Sequence, residues 1–577
     1  MTTTNFTTGT VITSEWLNDV DDATYAGSAV YTPAGTGAVA TTVQAKLRES
    51  VSVEDFGTNT SPGVTDMTAA INAAIVYASS FGGGKVVTNQ AQLITSPILM
   101  KSGVQLEINN TLTCSGMSAY GSSETDHSAV LFMGTSVLTS ALTSSGVRSD
   151  TAVAVASGAG FATGDMVVIE DSSYFGAGTS AGVNSSLAQV INVVGDILTI
   201  DTPLPTAFPA ATSLVRKVTL CENASVSVKN IAGAPYQGVT FQWARHCLAA
   251  NTSVNPVGKD AIYFHSAFGN LATNIIGLNP VSTVSPFGYG CLFDFGASDN
   301  IIENSYFEGT REISVGEYGR RNIIRNNRCI YSKDTGINTH GLGAEDTLIL
   351  DNIIIAPDQY GIAIGQLAPS GKAVDLRTVV RGNTVINSTS YAIREVQYSP
   401  GTSIASDTVI EGNTIRYGAS TAIFISGAGV ATDNTNPVIS NNKIANSGAR
   451  GVYLSTSSVK NVNIVGNRID VPTTDGILME DTGDNIFIDG NMLTSVGGYG
   501  IRQVTEGARI ILGSNKVFDA SAGKYLNVGT AAPTTGTGWQ VGDIMPNVGN
   551  LSAGANVGWV LVSTGPNVWK SMGLVAA

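Results

Sequence analysis

With 577 residues, the chain has room for about three or four compact domains or one long repetitive domain, and its 65 glycines with only 13% charged side chains favour the repetitive one. An apolar content of 43% excludes a disordered chain, because disordered chains are poor in apolar residues. The formal net charge of −14 disfavours nucleic acid and anionic membranes as partners, but it leaves neutral and charged polysaccharides open.

The N-terminal segment MTTTNFTTGTVITSEW lacks the basic and apolar regions of a secretory signal peptide, and no segment reaches the roughly 18 apolar residues of a membrane span. We therefore expect assembly in a cytoplasm, with release by a route such as lysis. The cysteines are odd in number, scattered and without a CxxC pair, which favours buried reduced thiols over disulfide or metal roles. They are Cys114, Cys221, Cys247, Cys291 and Cys329.

Residues 65–80, TDMTAAINAAIVYASS, have the periodicity of an amphipathic helix. Asp66 is its predicted N-cap, and the glycines at 82–84 end it. A lone helix ahead of a repetitive domain is expected to cover the open apolar end of the first repeat. Its predicted apolar face comprises Met67, Ile71, Ala74, Ile75 and Ala78.

The remaining sequence divides by composition. Residues 51–136 are predicted to begin the repetitive domain, and residues 217–529 to form its main part. Between them, residues 137–216 contain short apolar runs and two Gly-Asp turns, which predict a small β-rich insertion. Residues 530–577 hold three of the five tryptophans, and the runs WQVGDI and VGWVLV predict a separate β module.

Two columns of residues recur along the main repetitive part. One is an asparagine beside short β-branched runs, at spacings of 23 to 31 residues, and the other is an isoleucine or valine, mostly preceded by Gly or Ala. A unit of this length with two or three short strands is typical of one coil of a right-handed parallel β-helix, whereas the leucine-rich-repeat consensus is absent. The asparagines are Asn304, Asn327, Asn352, Asn383, Asn413, Asn442, Asn467, Asn491 and Asn515. The second column is Ile313, Ile337, Ile362, Ile393, Ile423, Val452, Ile477 and Ile501, with Ile262 and Leu292 as its upstream members.

Three segments resemble bacteriophage tailspikes, a family of β-helical proteins that degrade capsule or lipopolysaccharide. They are FTTGTVITSEWLNDVDDATY at 6–25, VSVEDFG at 51–57 with the following helix and GGGKVV, and GTAAPTTGTGWQVGDIMPN near the C-terminus. The resemblance implies an all-β, pectate-lyase-like fold, a homotrimer, and attachment of residues 1–50 to a phage tail or adaptor protein. It also implies a lateral face that binds or cleaves polysaccharide, and a role for the β module at 530–577 in trimerisation or carbohydrate binding. The sequence departs from the family pattern at Asp66-Met67, where a paired Asp-Asp is usual.

Carboxylates close to the isoleucine column are the candidate catalytic groups. Equivalent residues of adjacent coils lie about 4.8 Å apart, so neighbouring coils can supply the carboxylate pair of a glycoside hydrolase. The alternative is an ordinary solvated face with ion pairs to Arg311, Arg320, Arg321 and Lys333. The candidates on three consecutive coils are Glu308, Glu312, Asp334 and Asp358.

If the isoleucines point inward, the next residue of each coil points outward, in the column Ser314, Asn338, Ala363, Arg394, Phe424, Tyr453, Leu478 and Arg502. Aromatic and polar side chains beside carboxylates suit sugar rings. The candidate substrate-binding residues are Asn338, His340, Tyr360, Tyr391 and Arg394. His340 is also a weaker candidate base, and Asp294 with His265 marks an alternative site.

Glu395 falls at an inward position, where the neighbouring coils have Ile425, Leu454 and Met479. Because a buried carboxylate needs a partner, Glu395 is expected either to be a bulged catalytic residue or to be paired in the core. No cofactor motif or metal-ligand spacing is present. The sequence therefore predicts a tailspike that hydrolyses bacterial capsule or O-antigen, with a polysaccharide lyase and a non-catalytic receptor-binding spike as alternatives.

Overall fold

Short strands wind into a parallel β-helix with three faces, which we call sheets A, B and C. The computed structural model describes residues 29–47, 49–117, 127–171, 184–233, 235–284, 287–316, 318–339, 344–365, 376–397, 404–427, 434–455, 459–480, 485–504, 510–526, 544–546, 555–564 and 567–574. In each sheet every strand pairs in parallel with the equivalent strand of the next coil. The predicted all-β solenoid is therefore confirmed.

Sheet A contains the isoleucine column. Its residues pair directly from Ile313 through Ile337 to Ile501, which confirms the predicted inward and outward columns. Leu292 was the wrong upstream member, because Cys291 pairs with Ile313 whereas Leu292 pairs with the outward Ser314. The strands are Ile98–Met100, Ser128–Met133, Gln237–Gln242, Asp260–His265, Tyr289–Asp294, Ile313–Val315, Ile337–Thr339, Ile362–Ile364, Ile393–Gln397, Ile423–Gly427, Val452–Leu454, Ile477–Met479, Tyr499–Gln503 and Gly523–Leu526.

Sheets B and C lie before and after the asparagine of each coil. In the first coils Ser50–Ser52 and Gly84–Thr88 belong to sheet B and Gln92–Ile94 to sheet C. In the next coils one continuous strand serves both faces, namely Val104–Cys114, Ser225–Ala232, Leu248–Val254 and Leu271–Leu278. Sheet B continues with Ile301–Glu303, Ile323–Arg325, Leu348–Leu350, Val379–Arg381, Val409–Glu411, Val438–Ser440, Asn463–Val465, Ile486–Asp489 and Ile510–Leu512. Sheet C continues with Tyr306–Glu308, Arg328–Ile330, Ile353–Ile355, Thr384–Ile386, Thr414–Arg416, Lys443–Ala445, Arg468–Asp470, Met492–Thr494 and Lys516–Phe518.

The asparagine column forms a buried ladder between sheets B and C. Each side chain donates to the next, as from Asn383 Nδ2 to Asn413 Oδ1 at 3.0 Å, and accepts from the backbone of the preceding coil. The ladder begins at Ser305, whose backbone N–H donates to Asn327 Oδ1, so the predicted first member Asn304 was off by one residue. Asn304 instead takes the exposed left-handed turn position, with φ of 52°. A second ladder of Asn270, Asn300 and Asn322, missed in the sequence, lies between sheets A and B.

The predicted capping helix spans Thr68–Ser80, and its entire predicted apolar face is buried. It begins two residues after Asp66, whose carboxylate accepts from the Thr68 backbone N–H at 3.0 Å. The helix contacts strands Gly84–Thr88 and Ile98–Met100 of the first coils. Gly83 is required after it, because its φ is 118° and a Cβ there would lie 2.4 Å from the Gly103 carbonyl oxygen.

A six-stranded antiparallel sheet within residues 135–219 has its own apolar core and lies where the insertion was predicted. Its strands, in spatial order, are Ala152–Ala154, Ile197–Ile200, Asn184–Val194, Met166–Asp171, Ser213–Thr219 and Thr135–Ala141. The insertion contacts the solenoid through Ser185, whose hydroxyl donates to the Phe295 carbonyl oxygen at 2.7 Å. Arg320 holds the same strand by donating to Asn184 Oδ1 at 3.0 Å.

Smaller elements complete the described chain. The N-terminal part has strands Val30–Tyr31 and Thr41–Thr42, helix Val43–Leu47 and the 3-10 turn Val53–Asp55. Short parallel pairings join Cys221–Glu222 with Ala244–Arg245, and Ile404–Ala405 with Asn434–Thr435 and Val459–Lys460. The C-terminal strands Ile544–Pro546, Asn556–Thr564 and Asn567–Leu574 form an antiparallel sheet. The tailspike-like segment at 6–25 lies outside the described residues.

All five cysteines are buried free thiols, as predicted. Burial raises the pKa of Cys114 and of Cys329 to about 12. Among the described residues, no helix combines the length and hydrophobicity needed to span a membrane.

Candidate functional site

Two of the predicted carboxylates meet polar partners at the entry to sheet A. The Glu312 side chain is 1% exposed and its Oε2 accepts a hydrogen bond from Asn338 Nδ2 at 3.2 Å. On the next coil Asp334 pairs with the Arg311 guanidinium at 3.3 Å. Arg311 also donates to the Tyr289 hydroxyl at 3.0 Å. The structure thus joins Glu312, Asp334 and Asn338 into one polar cluster and adds Arg311 and Tyr289 to it.

The other two carboxylates of the predicted cluster have different surroundings. Glu308 ends a strand of sheet C and accepts a hydrogen bond from the Tyr306 hydroxyl at 2.5 Å, which raises the pKa of Tyr306. It therefore belongs to a different face from the strand that begins at Ile313. Asp358 is half exposed, and its Oδ2 lies 3.8 Å from Lys333 Nζ. This is a solvated surface ion pair, the alternative to a catalytic role that the sequence left open for these acids.

Glu395 is fully buried inside the solenoid. It pairs in register with Ile364 on one side and Ile425 on the other, so no bulge turns it outward. Thr408 donates its hydroxyl hydrogen to Glu395 Oε1 at 2.9 Å. Of the two expectations for Glu395, the structure therefore shows the residue paired in the core and not the bulged one, because Glu395 shares the inward register of Ile364 and Ile425. His340 lies outside the described residues.

Aromatic rings form a row along the outer face of sheet A. Tyr360 and Tyr391 stack with centroids 5.9 Å apart, Tyr391 and Phe424 with centroids 4.3 Å apart, and Phe424 contacts Tyr453 at 5.2 Å. The rings of the first two contacts are within 6° of parallel, so they cover each other's faces. Sugar rings were expected to stack on these faces, but the row offers them ring edges and hydroxyl groups.

The alternative pair, His265 and Asp294, lies on adjacent strands of the same sheet. Asp294 is 7% exposed and accepts from the Phe295 backbone N–H at 3.0 Å, and the His265 ring packs 4.6 Å from the Phe295 ring. A cavity of about 350 Å³ lies between the insertion and the solenoid and is lined by Arg320, among others. Burial lowers the pKa of Arg320 to about 10, although nearby Glu345 raises it.

The described residues contain no group of three or more His, Cys, Asp or Glu side chains placed to hold a metal ion.

The sequence matches the family model for the right-handed β-helix region over residues 218–369 and 369–517, more than half of the chain. The chain belongs to this β-helix family. The matched part contains both the polar cluster and the aromatic row. No curated protein sequence is significantly similar to the chain.

Solved structures that are similar to this chain include tailspikes and an adhesin. A mutant tailspike protein of E. coli bacteriophage HK620 in complex with pentasaccharide has 13% identity and a TM-score of 0.51, over 97% of this chain and 98% of that chain. The Gp54 tailspike of Acinetobacter baumannii bacteriophage AP22, in complex with capsular saccharide, has 11% identity and a TM-score of 0.49, over 85% and 82%. PfbA, a surface adhesin of Streptococcus pneumoniae, has 13% identity and a TM-score of 0.44, over 91% and 99%. At such identities the similarity extends to the fold alone.

Within this β-helix, sequence reasoning missed Arg311, Tyr289 and Arg450 as members of the outer face. Arg311 and Arg450 precede the isoleucine column by two residues, a position that the predicted outward column does not include. The signal was present, because Tyr360 and Tyr391 occupy that same preceding position in their coils. The residue two positions before each isoleucine is therefore a second outward column.

Proposed function

We propose that the chain is a trimeric phage tailspike whose outer face of sheet A binds and hydrolyses a bacterial surface polysaccharide. The observation that carries the proposal is the polar cluster of Glu312, Asp334 and Asn338 beside the aromatic row of the same face. A polymer lying along the solenoid axis would contact both. From Asn338 to Tyr453 the outward column covers four coil steps, which is roughly 20 Å at about 4.8 Å a step.

Glu312 and Asp334 are the proposed catalytic acids. Their environments differ: Glu312 is shielded from water beside an amide, whereas Asp334 is partly exposed beside a guanidinium. Glycoside hydrolases use two carboxylates in unlike environments, one that protonates the leaving oxygen and one that acts as a charged base or nucleophile. We assign the proton donor to Glu312 and the charged role to Asp334, with Asn338 orienting Glu312 and Arg311 orienting Asp334.

A lyase is a second candidate because Arg394 lies against Tyr360, with its Cζ 4.9 Å from the ring centroid. A guanidinium that binds a uronate carboxylate beside a tyrosine base would suit β-elimination. Hydrolysis remains the leading proposal, because elimination requires no carboxylate pair and would leave Glu312 and Asp334 without a role.

The test is incubation of the purified protein with a panel of bacterial capsules and O-antigens, followed by size-exclusion chromatography and structural analysis of products. Saturated oligosaccharides support the hydrolase, and products absorbing in the near ultraviolet identify the lyase instead. Polymer that is bound but stays intact after long incubation identifies a non-catalytic spike. If no polymer is bound or shortened, the proposed function is wrong.

A further inference from the structure

The outer face of sheet A carries two arginines with aromatic but no acidic partners. Arg394 lies over the Tyr360 ring at 4.9 Å, and Arg450 lies over the Tyr453 ring at 4.4 Å. No carboxylate of the described chain lies within ion-pair distance of either guanidinium. The two arginines therefore lie against the first and last rings of the aromatic row, Tyr360 and Tyr453. Tyr391 and Phe424 lie between these two rings.

Other arginines of this sheet do have acidic partners. Arg311 pairs with Asp334, and Arg502 lies 3.5 Å from the buried Asp475. Beyond both ends of the row the guanidiniums are therefore ion-paired, whereas those of Arg394 and Arg450 have no ion pair among the described residues. The chain has a net charge of −14, so its acidic side chains outnumber its basic ones. A shortage of carboxylates therefore does not explain why Arg394 and Arg450 have no acidic partner.

Each of the two guanidiniums has an aromatic ring on one side. A ring against one face holds the guanidinium plane in place, while its N–H groups point sideways and remain able to donate. Arg450 Nε is in fact buried without a hydrogen-bond partner in the described chain. An unpaired buried donor costs free energy, which an acceptor on a ligand would recover.

From this we infer that Arg394 and Arg450 are anion subsites, and that the polysaccharide bound by this face carries a carboxylate on its sugars. A planar fork of donors matches a carboxylate, which can accept two parallel hydrogen bonds. The two arginines lie two coils apart, because Arg394 belongs to the strand that begins at Ile393 and Arg450 lies two residues before the strand that begins at Val452. They would thus contact charges spaced along an extended acidic polymer. The inference rests on the proposed function and specifies its substrate class.

The experiment compares each polysaccharide of the panel with its carboxyl-reduced form, in which the acid becomes a primary alcohol. We expect the wild-type protein to bind an acidic member, and reduction to weaken that binding at least tenfold. Arg394→Gln and Arg450→Gln should each weaken binding of the acidic polymer at least fivefold and cause no further loss with the reduced polymer. Arg394→Lys should bind the acidic polymer more tightly than Arg394→Gln but less tightly than the wild type, because lysine keeps the charge and lacks the planar fork of donors.

Arg416→Gln is the matched control, because Arg416 is an exposed arginine of sheet C without an ion pair in the described chain. It should bind the acidic polymer like the wild type, and thermal melting should show that all variants are folded. Binding of neutral members only, or equal binding of native and reduced polymer, overturns the anion subsites and leaves the proposed function standing. A phosphorylated rather than carboxylated ligand likewise overturns the carboxylate assignment. Failure to bind any member overturns both the inference and the proposed function.

Discussion

Asp334 is the residue whose chemistry the proposed mechanism depends on most. Replacing it with asparagine keeps its shape but removes its charge and its capacity for proton transfer. We expect Asp334→Asn to lower kcat for polymer cleavage by about 100-fold or more, and Glu312→Gln to do the same. The rate of reducing-end release from the polysaccharide is the measurement.

Asp358→Asn and Glu395→Gln are the controls for this pair. Asp358 is half exposed, so loss of its ion pair should change stability by at most about 1 kcal/mol and leave cleavage intact. Glu395 is enclosed in the core and its amide replacement should also cleave normally. Glu308→Gln, on sheet C, should behave like them. Wild-type rates for both Asp334→Asn and Glu312→Gln would place the site elsewhere, with Asp294 and His265 as the next candidates.

The buried thiols predict how stability depends on pH. Burial raises the pKa of Cys114 and of Cys329 from near 9 to about 12. Between these values the unfolded thiols have lost their protons while the folded ones keep them, so the free energy of unfolding should fall as pH rises above about 9. Cys329→Ala should make this fall shallower, as measured by urea unfolding at pH 8 and pH 10. An unchanged slope would contradict the raised pKa.

At the scale of elements, the asparagine ladder is expected to stabilise each coil through its neighbours. Asn413 accepts from the backbone and side chain of Asn383 and donates to the Val380 carbonyl oxygen and to Asn442. Asn413→Ala would leave several of these buried groups unpaired, so we expect a loss of about 2 to 4 kcal/mol in unfolding free energy. Equilibrium urea unfolding, followed by far-ultraviolet circular dichroism, measures it.

The control for the ladder is Asn304→Gly. Asn304 has a left-handed backbone that glycine adopts without strain, and its side chain is exposed. A change of about 0.5 kcal/mol or less is expected. If Asn304→Gly lowered the unfolding free energy more than Asn413→Ala does, this would contradict the observed register, in which Ser305 and not Asn304 begins the ladder.

The elements were predictable to the extent that period and composition fix them. The isoleucine column predicted sheet A, because every coil must bury one residue at the same depth. The helix was predictable from the spacing of its apolar residues. Asn304 and Leu292 were each misplaced by one residue, because in the looser coils neighbouring positions carry similar side chains. Glu308 was grouped with Asp334 because spacing along the chain does not show where sheet C turns into sheet A. The stacking of Tyr391 on Phe424 depends on side-chain directions across coils, which a linear pattern does not contain.

For the whole molecule, the tailspike resemblance predicts a trimer, and the small C-terminal sheet is the proposed assembly module. A sheet of only three strands buries too little apolar surface to be stable alone, so it should gain stability from copies of itself. Deleting residues 530–577 should reduce trimer formation or folding yield, as measured by multi-angle light scattering. A monomer of the full chain at micromolar concentration would contradict the trimer.

Residues 1–50 are predicted to attach the molecule to a phage tail or adaptor protein. Removing them should abolish virion attachment without changing glycan cleavage, because the polar cluster and the aromatic row lie in the β-helix. The two readouts are co-sedimentation with particles and polymer degradation. Loss of cleavage in this deletion would contradict the anchor assignment.

The central claim is that the outer face of sheet A binds the glycan, and the structure of the Asp334→Asn variant with an oligosaccharide of its substrate tests this claim most directly. We predict an extended saccharide that begins over Asn338 and Glu312 and continues along Arg394 and Phe424 to Tyr453, with its acidic groups against the two unpaired guanidiniums. A saccharide bound instead in the cavity beside Arg320, on sheet C, or in a groove between subunits away from sheet A would contradict the claim.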